Sequence, residues 1–227
     1  MAKLNVQKIL SLAKSYENRG ELDKARQQYE SVLSAYPKNV QAQKARLRLT
    51  AEINGDQKFS AQPSRLDELI ALYHQGKFSE VIRIGSKFAE EFPSSPVIWN
   101  LLGAANGGLK FLDEATRCFR EVCQIRPNDC EAHNNLGVAL TNQRNLIEAE
   151  ASYNRALQIK PNHVEVNNNL GNVLKEQGKL DDAVESFTRA LKIQRDHPEI
   201  HYNLGLVFQE QGNLDKALGS FTRAVQI

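Results

Sequence analysis

The sequence predicts an all-α solenoid of antiparallel helix pairs, and three observations carry that expectation. The first is self-similarity at a fixed period. Gly103, Gly137, Gly171 and Gly205 step by 34 residues, and so do Ala115, Ala149, Ala183 and Ala217. An aromatic column, Phe119, Tyr153, Phe187 and Phe221, keeps the same step. The second is periodicity: within a unit, apolar residues recur at three-to-four spacing on both sides of a break such as Gly178, which gives two helices per unit. The third is punctuation. Pro93, Pro127 and Pro161 follow the second helices and prevent their continuation, with Arg195 at the next position of that column.

Taken in order, the units are 6–39, 62–95, 96–129, 130–163, 164–197 and 198–227. The first is out of frame, because Pro37 and Pro93 lie 56 residues apart, 22 more than one period. The insert reads as a helix over about 40–52, "VQAQKARLRLTAE", followed by the polar linker 53–61, with Asn54-Gly55 and Pro63 as breakers. The expected organisation is an N-terminal unit with its extra helix (1–52), a linker (53–61) and a main array (62–227). The second unit departs most from the pattern, with Leu69, Val81 and Gly85 at the glycine, alanine and aromatic columns. In the fifth unit, Gly178 suits a helix end because it enters the left-handed region cheaply. Asp181 and Asp182 then open the second helix, where acid complements the dipole. Small residues such as Gly171 and Ala183 let paired helices approach, and Phe187 fills the remaining groove. The last helix, "FTRAVQI", has the character of an internal repeat; a fragment of a longer protein or an end covered by self-association would account for it.

In the third unit Trp99, Leu102, Gly103, Ala115, Phe119 and Pro127 match W-x2-LG…A-x3-F…P. On these residues the chain resembles the tetratricopeptide repeat family over nearly its whole length, most strongly from residue 96. The resemblance implies a right-handed superhelix with the first helices on its concave wall.

Composition excludes several classes. Lys+Arg 29 against Asp+Glu 27 gives a net charge of +2, so no overall field points to nucleic acid or an anionic membrane. Residues 1–61 carry +5 and the rest −3, a local imbalance read as a solvated helix face. No run approaches the roughly 18 apolar residues of a membrane span. The first twenty residues do not read as a signal peptide, since lysines break their helically spaced apolar positions. Cys118, Cys123 and Cys130 cannot all pair with one another and lack CxxC spacing, which fits reduced structural cysteine in the cytoplasm, or the periplasm after removal of a leader. No catalytic motif is present and no cofactor is expected. His197 and His201 have metal-like spacing without a third ligand. His133 and His201 share the column of Trp99, where packing is expected, and His163 and His197 stand where a cap or turn role is expected.

The remaining signal is asparagine, a mediocre helix former kept in "NNLG" at Asn134–Gly137 and again at Asn168–Gly171. With each repeat numbered from 1, positions 2, 6, 9 and 13 of the first helix fall within about 60° of one another, at roughly 100° per residue. In the fourth repeat this stripe is Glu131, Asn135, Val138 and Asn142; in the fifth Glu165, Asn169, Asn172 and Glu176; in the sixth Glu199, Asn203, Leu206 and Glu210. The third carries Val97, Leu101, Ala104 and Gly108 instead. The resemblance places Asn135, Asn169 and Asn203 along the groove, like the asparagine ladder of the O-linked N-acetylglucosamine transferase repeats, which holds extended peptide backbone. An amide offers donor and acceptor together, so it pairs with peptide groups whatever the side chain. The other reading is a spacer bonded to the neighbouring repeat, and both stay open. Glu131, Glu165 and Glu199 serve either the helix dipole or a preference for basic ligands. Tyr202, in the column of Asn100, Asn134 and Asn168, is a candidate aromatic anchor. The lysine-and-asparagine clamp of chaperone-binding relatives is absent: Asn172 and Asn203 could supply its asparagines, but Asn168 replaces the first lysine and glutamates fill the later basic column.

The function expected is a non-enzymatic interaction module binding an extended peptide or partner segment. Two alternatives accompany it: the substrate-presenting front of a larger bacterial glycosyltransferase or sulfotransferase, and a self-assembling scaffold.

Overall fold

The computed structural model describes residues 6–37, 39–46, 49 and 63–227. All regular elements among the described residues are helices. They are α1 (Val6–Asn18), α2 (Leu22–Ala35), α3 (helical at 40–46 and 49), α4 (Pro63–His74), α5 (Phe78–Glu91), α6 (Pro96–Gly108) and α7 (Leu112–Ile125). α8 (Cys130–Asn142), α9 (Leu146–Ile159), α10 (Val164–Glu176), α11 (Leu180–Ile193), α12 (Pro198–Glu210) and α13 (Leu214–Gln226) follow. Apart from α3 they pack as consecutive antiparallel pairs, at the 34-residue step from α4 onward. The expected helix over 40–52 is described only in part, and the linker 53–61 lies outside the described residues.

The chain forms two compact units, Met1–Asp129 and Cys130–Ile227. In the first, Leu10, Ala13, Ala25, Tyr29 and Val32 of α1 and α2 share a core with Ala42 and Leu49 of α3. Within it the Tyr29 hydroxyl donates to the buried Glu17 carboxylate at 2.8 Å. A second core gathers Leu69, Val81, Phe88, Ile98, Leu102 and Cys118 from α4 to α7. In the second unit α10 packs on α8, α9, α11 and α12, so first helices lie beside first helices. Tyr153 and Phe187 are its largest fully buried side chains.

Close approach explains the glycine column. A Cβ built at Gly103, Gly137, Gly171 or Gly205 would lie 2.8, 2.5, 2.7 or 2.6 Å from the ring of Phe119, Tyr153, Phe187 or Phe221. The second repeat keeps this complementarity with sizes exchanged. Its first helix carries the buried Leu69, and its second carries Gly85, whose added Cβ would meet Leu102 at 3.0 Å and Leu69 at 3.6 Å. That exchange is why the α4–α5 sequence departs from its neighbours while the pair still closes.

The Trp99 column packs at the margin of the core: Trp99 is half-buried, against the α4–α7 cluster. Its Nε1 donates to the Pro93 carbonyl at 2.8 Å. Equivalent side chains do the same: Asn167 Nδ2 donates to Pro161 O at 3.3 Å, and His201 Nε2 to Arg195 O at 2.9 Å. The column ties α6, α10 and α12 to the turns before them, which any side chain with a suitably placed N–H can do.

Candidate functional site

The first helices α8, α10 and α12 present the Asn/Glu stripe in register. Asn135, Asn169, Asn172 and Asn203 are half-buried, while Glu131, Asn142, Glu165, Glu176, Glu199 and Glu210 are exposed. Val138 and Leu206 complete the strip as its apolar members.

Hydrogen bonds link this face from one repeat to the next through the residue beside each ladder position. Asn169 Nδ2 donates to Asn134 Oδ1 at 3.3 Å, and Asn203 Nδ2 donates to Asn168 Oδ1 at 3.2 Å. In return Asn134 Nδ2 approaches Glu165 Oε1 at 3.4 Å, and Asn168 Nδ2 approaches Glu199 Oε1 at 3.4 Å. Asn134 and Asn168 are buried, so each uses both ends of its amide on the following helix. Asn169 and Asn203 each commit one N–H. Among the described residues, their Oδ1 atoms accept nothing further, and a second N–H remains on each.

The same face gathers other ties. His163 Nδ1 accepts from the Val166 backbone N–H at 3.5 Å as a helix cap, which leaves Nε2 to donate to Glu131 Oε1 at 2.8 Å. Arg144, in the turn after α8, pairs with Glu176 at 2.6 Å. Tyr202 is 52% exposed and leans on Phe221 with ring centroids 5.6 Å apart. It stands where Asn134 and Asn168 carry their inter-repeat amides, so the anchor position and the spacer position are one column. The sequence signalled this column through its repeated asparagine but could not show which neighbour each amide meets.

Elsewhere the chemistry is quiet. Among the described residues no group of three or more His, Cys, Asp or Glu could hold a metal. His197 precedes α12 without a side-chain cap bond. Burial pushes the Cys118 thiol up to about 11 and the Cys123 thiol up to about 12, so both stay protonated and poorly nucleophilic at neutral pH. No described helix is long and apolar enough to cross a membrane.

Comparisons agree with this architecture. Models described as tetratricopeptide repeat or TPR repeat match residues 9–49, 130–163, 152–185, 171–212 and 198–227. A comparison with curated protein sequences finds no match. Among solved structures, MamA from Desulfovibrio magneticus RS-1 superposes with a TM-score of 0.68 at 18% identity, over 72% of this chain and 93% of that one. Another MamA crystal structure gives 0.65 at 20% identity, over 69% and 91%. YrrB, described as a TPR protein with an unusual peptide-binding site, gives 0.62 at 18% identity, over 76% and 91%. At such identities the likeness shows the fold. The repeat models, the helix pairs and the glycine–aromatic packing together show that the chain belongs to the tetratricopeptide repeat family.

Proposed function

We propose that the protein is a non-enzymatic interaction module that binds an extended partner segment along the first-helix face of α8, α10 and α12. One observation carries this reading: Asn169 and Asn203 spend a single N–H on the neighbouring helix and keep a carbonyl and an N–H on a half-exposed face. Spacer and ligand-holder are therefore compatible roles of one amide. Asn135, at the same position of α8, is half-buried and makes no side-chain hydrogen bond among the described residues. Each peptide–amide bond contributes about 0.5–1.5 kcal/mol net, so three in register give modest, sequence-tolerant affinity. The exposed Glu165, Glu199 and Glu210 favour a basic segment. Asn142 and Asn172 extend the polar strip along α8 and α10, and Tyr202 supplies an aromatic surface at the far side. The likeness to YrrB, a TPR protein with a peptide-binding site, supports a peptide as the ligand.

The test is selection from a random unstructured peptide library on the parent and on the Asn135→Ala/Asn169→Ala/Asn203→Ala variant, with helicity matched by circular dichroism. The expected outcome is enrichment of basic peptides without a fixed motif on the parent, lost on the variant. Equal enrichment on both would remove the ladder from the function.

A further inference from the structure

A pocket of about 570 Å³ opens between α9, α11 and the turn into α10. Asn167 forms part of its wall, and position 4 of α10 lies about 180° around the helix from the stripe, at roughly 100° per residue. This site is therefore separate from the first-helix face and does not rest on the function proposed for it.

Leu157, Pro161 and Ile193 give the pocket an apolar side, and Arg189 and Lys192, beside the neutral Asn162, give it a cationic one. The next repeat shows what such a junction does with its charge. There Arg223, equivalent to Arg189, binds Asp196 at 2.6 Å, and Asp196 is equivalent to Asn162. Gln226 occupies the position of Lys192. The α11–α13 junction thus neutralises its arginine with a built-in carboxylate. The α9–α11 junction replaces that acid with a neutral amide and adds a second cation. Arg189 turns instead to Glu185 on its own helix, an exposed pair, and Lys192 forms no ion pair among the described residues. The cavity also coincides with a small residue in the column that carries Trp99 and His201 elsewhere. Asn167 fills less volume and holds its Nδ2 on Pro161 O and His163 O.

We propose that this pocket binds the C-terminal carboxylate of a peptide ending in an apolar residue. The carboxylate takes the place that Asp196 fills one repeat later, bridging Arg189 and Lys192. The terminal side chain lies against Leu157, Pro161 and Ile193. A C-terminal residue carries charge and apolar group on one unit, whereas an Asp or Glu side chain lacks the apolar half.

The test uses the full chain and three probes: N-acetyl-Ala-Leu with a free carboxylate, the same dipeptide amidated, and acetate. Binding is read by NMR from the Arg189 Nε–H and the backbone amides of residues 157–162 and 189–193. The free acid is expected to bind and shift these signals, roughly tenfold more tightly than the amide or acetate. Asn162→Asp, which restores the acid of the next repeat, is expected to shift Arg189 without ligand and to weaken the free acid roughly tenfold. Lys192→Gln should weaken it by up to about fivefold, the scale of one exposed ion pair. Circular dichroism confirms that each variant is folded. Equal binding of acid and amide, equal binding of acetate, no binding of the free acid, or unimpaired binding by folded Asn162→Asp would each overturn the proposal.

Discussion

At the scale of single residues, neighbouring asparagines have different duties. Asn134 and Asn168 are buried and bonded at both ends to the next first helix, while Asn169 and Asn203 keep an open acceptor. Removing a buried partner strands the groups it satisfied, so Asn168→Ala should lower stability by about 1–3 kcal/mol in chemical denaturation. Asn135→Ala should change it by less than about 0.5 kcal/mol, as expected away from such bonds. The sequence displayed both columns but could not separate them, because residues one apart on a helix share composition and differ only in what stands opposite. The buried Cys118 and half-buried Cys123 thiols make a second prediction. Cys118 and Cys123 are raised to about 11 and 12 from the usual 9.0, so the unfolded chain ionises first as pH rises. Tyr153, raised by burial to about 12, acts in the same direction. The stability these groups contribute is complete below pH 9 and is lost between about 9 and 12. Denaturation midpoints measured across that range should fall, and a thiol reagent at pH 8 should label Cys118 and Cys123 only as the protein unfolds.

At the scale of elements, the helix pair depends on a small residue facing a large one. Gly171→Ala drives a Cβ to 2.7 Å from the fully buried Phe187 ring, and overpacking of this kind costs about 1–3 kcal/mol. Gly219→Ala, with nothing within 4 Å, should instead gain about 1 kcal/mol from helix propensity. Thermal melts of the two variants should move in opposite directions. The second repeat supplies a stricter check through coupling. Gly85→Phe should destabilise, and Leu69→Gly in that background should recover part of the loss, a non-additivity expected of contacting sites. Helix existence, pairing and period were legible in the sequence because they depend on local periodicity and size. The exchange at Leu69 and Gly85 was visible only as a departure, since its meaning depends on two side chains meeting across a helix pair. Turn geometry was half legible: Gly178 stood out, yet Lys110 and Arg144 hold the equivalent left-handed turn with φ of 61° and 62°.

At the scale of the molecule, fold and binding chemistry occupy separate columns of one repeat. Glycine, alanine and aromatic columns close each pair, and the stripe at positions 2, 6, 9 and 13 is left to vary. In the second unit that stripe carries asparagine and glutamate, and the ties of Arg144 to Glu176 and His163 to Glu131 hold its edges. The salt dependence of binding belongs to this scale: affinity for a basic segment should fall as ionic strength rises past 0.1 M, where the screening length is about 10 Å. The most direct measurement is the NMR response of side-chain amides labelled on asparagine, titrated with a selected basic peptide. The account predicts that Asn135, Asn169 and Asn203 signals shift together and saturate at one affinity, while that of the buried Asn106, bonded within its own helix to the Leu102 carbonyl, stays near its free position. Saturable binding that leaves all three ladder amides unmoved would contradict it.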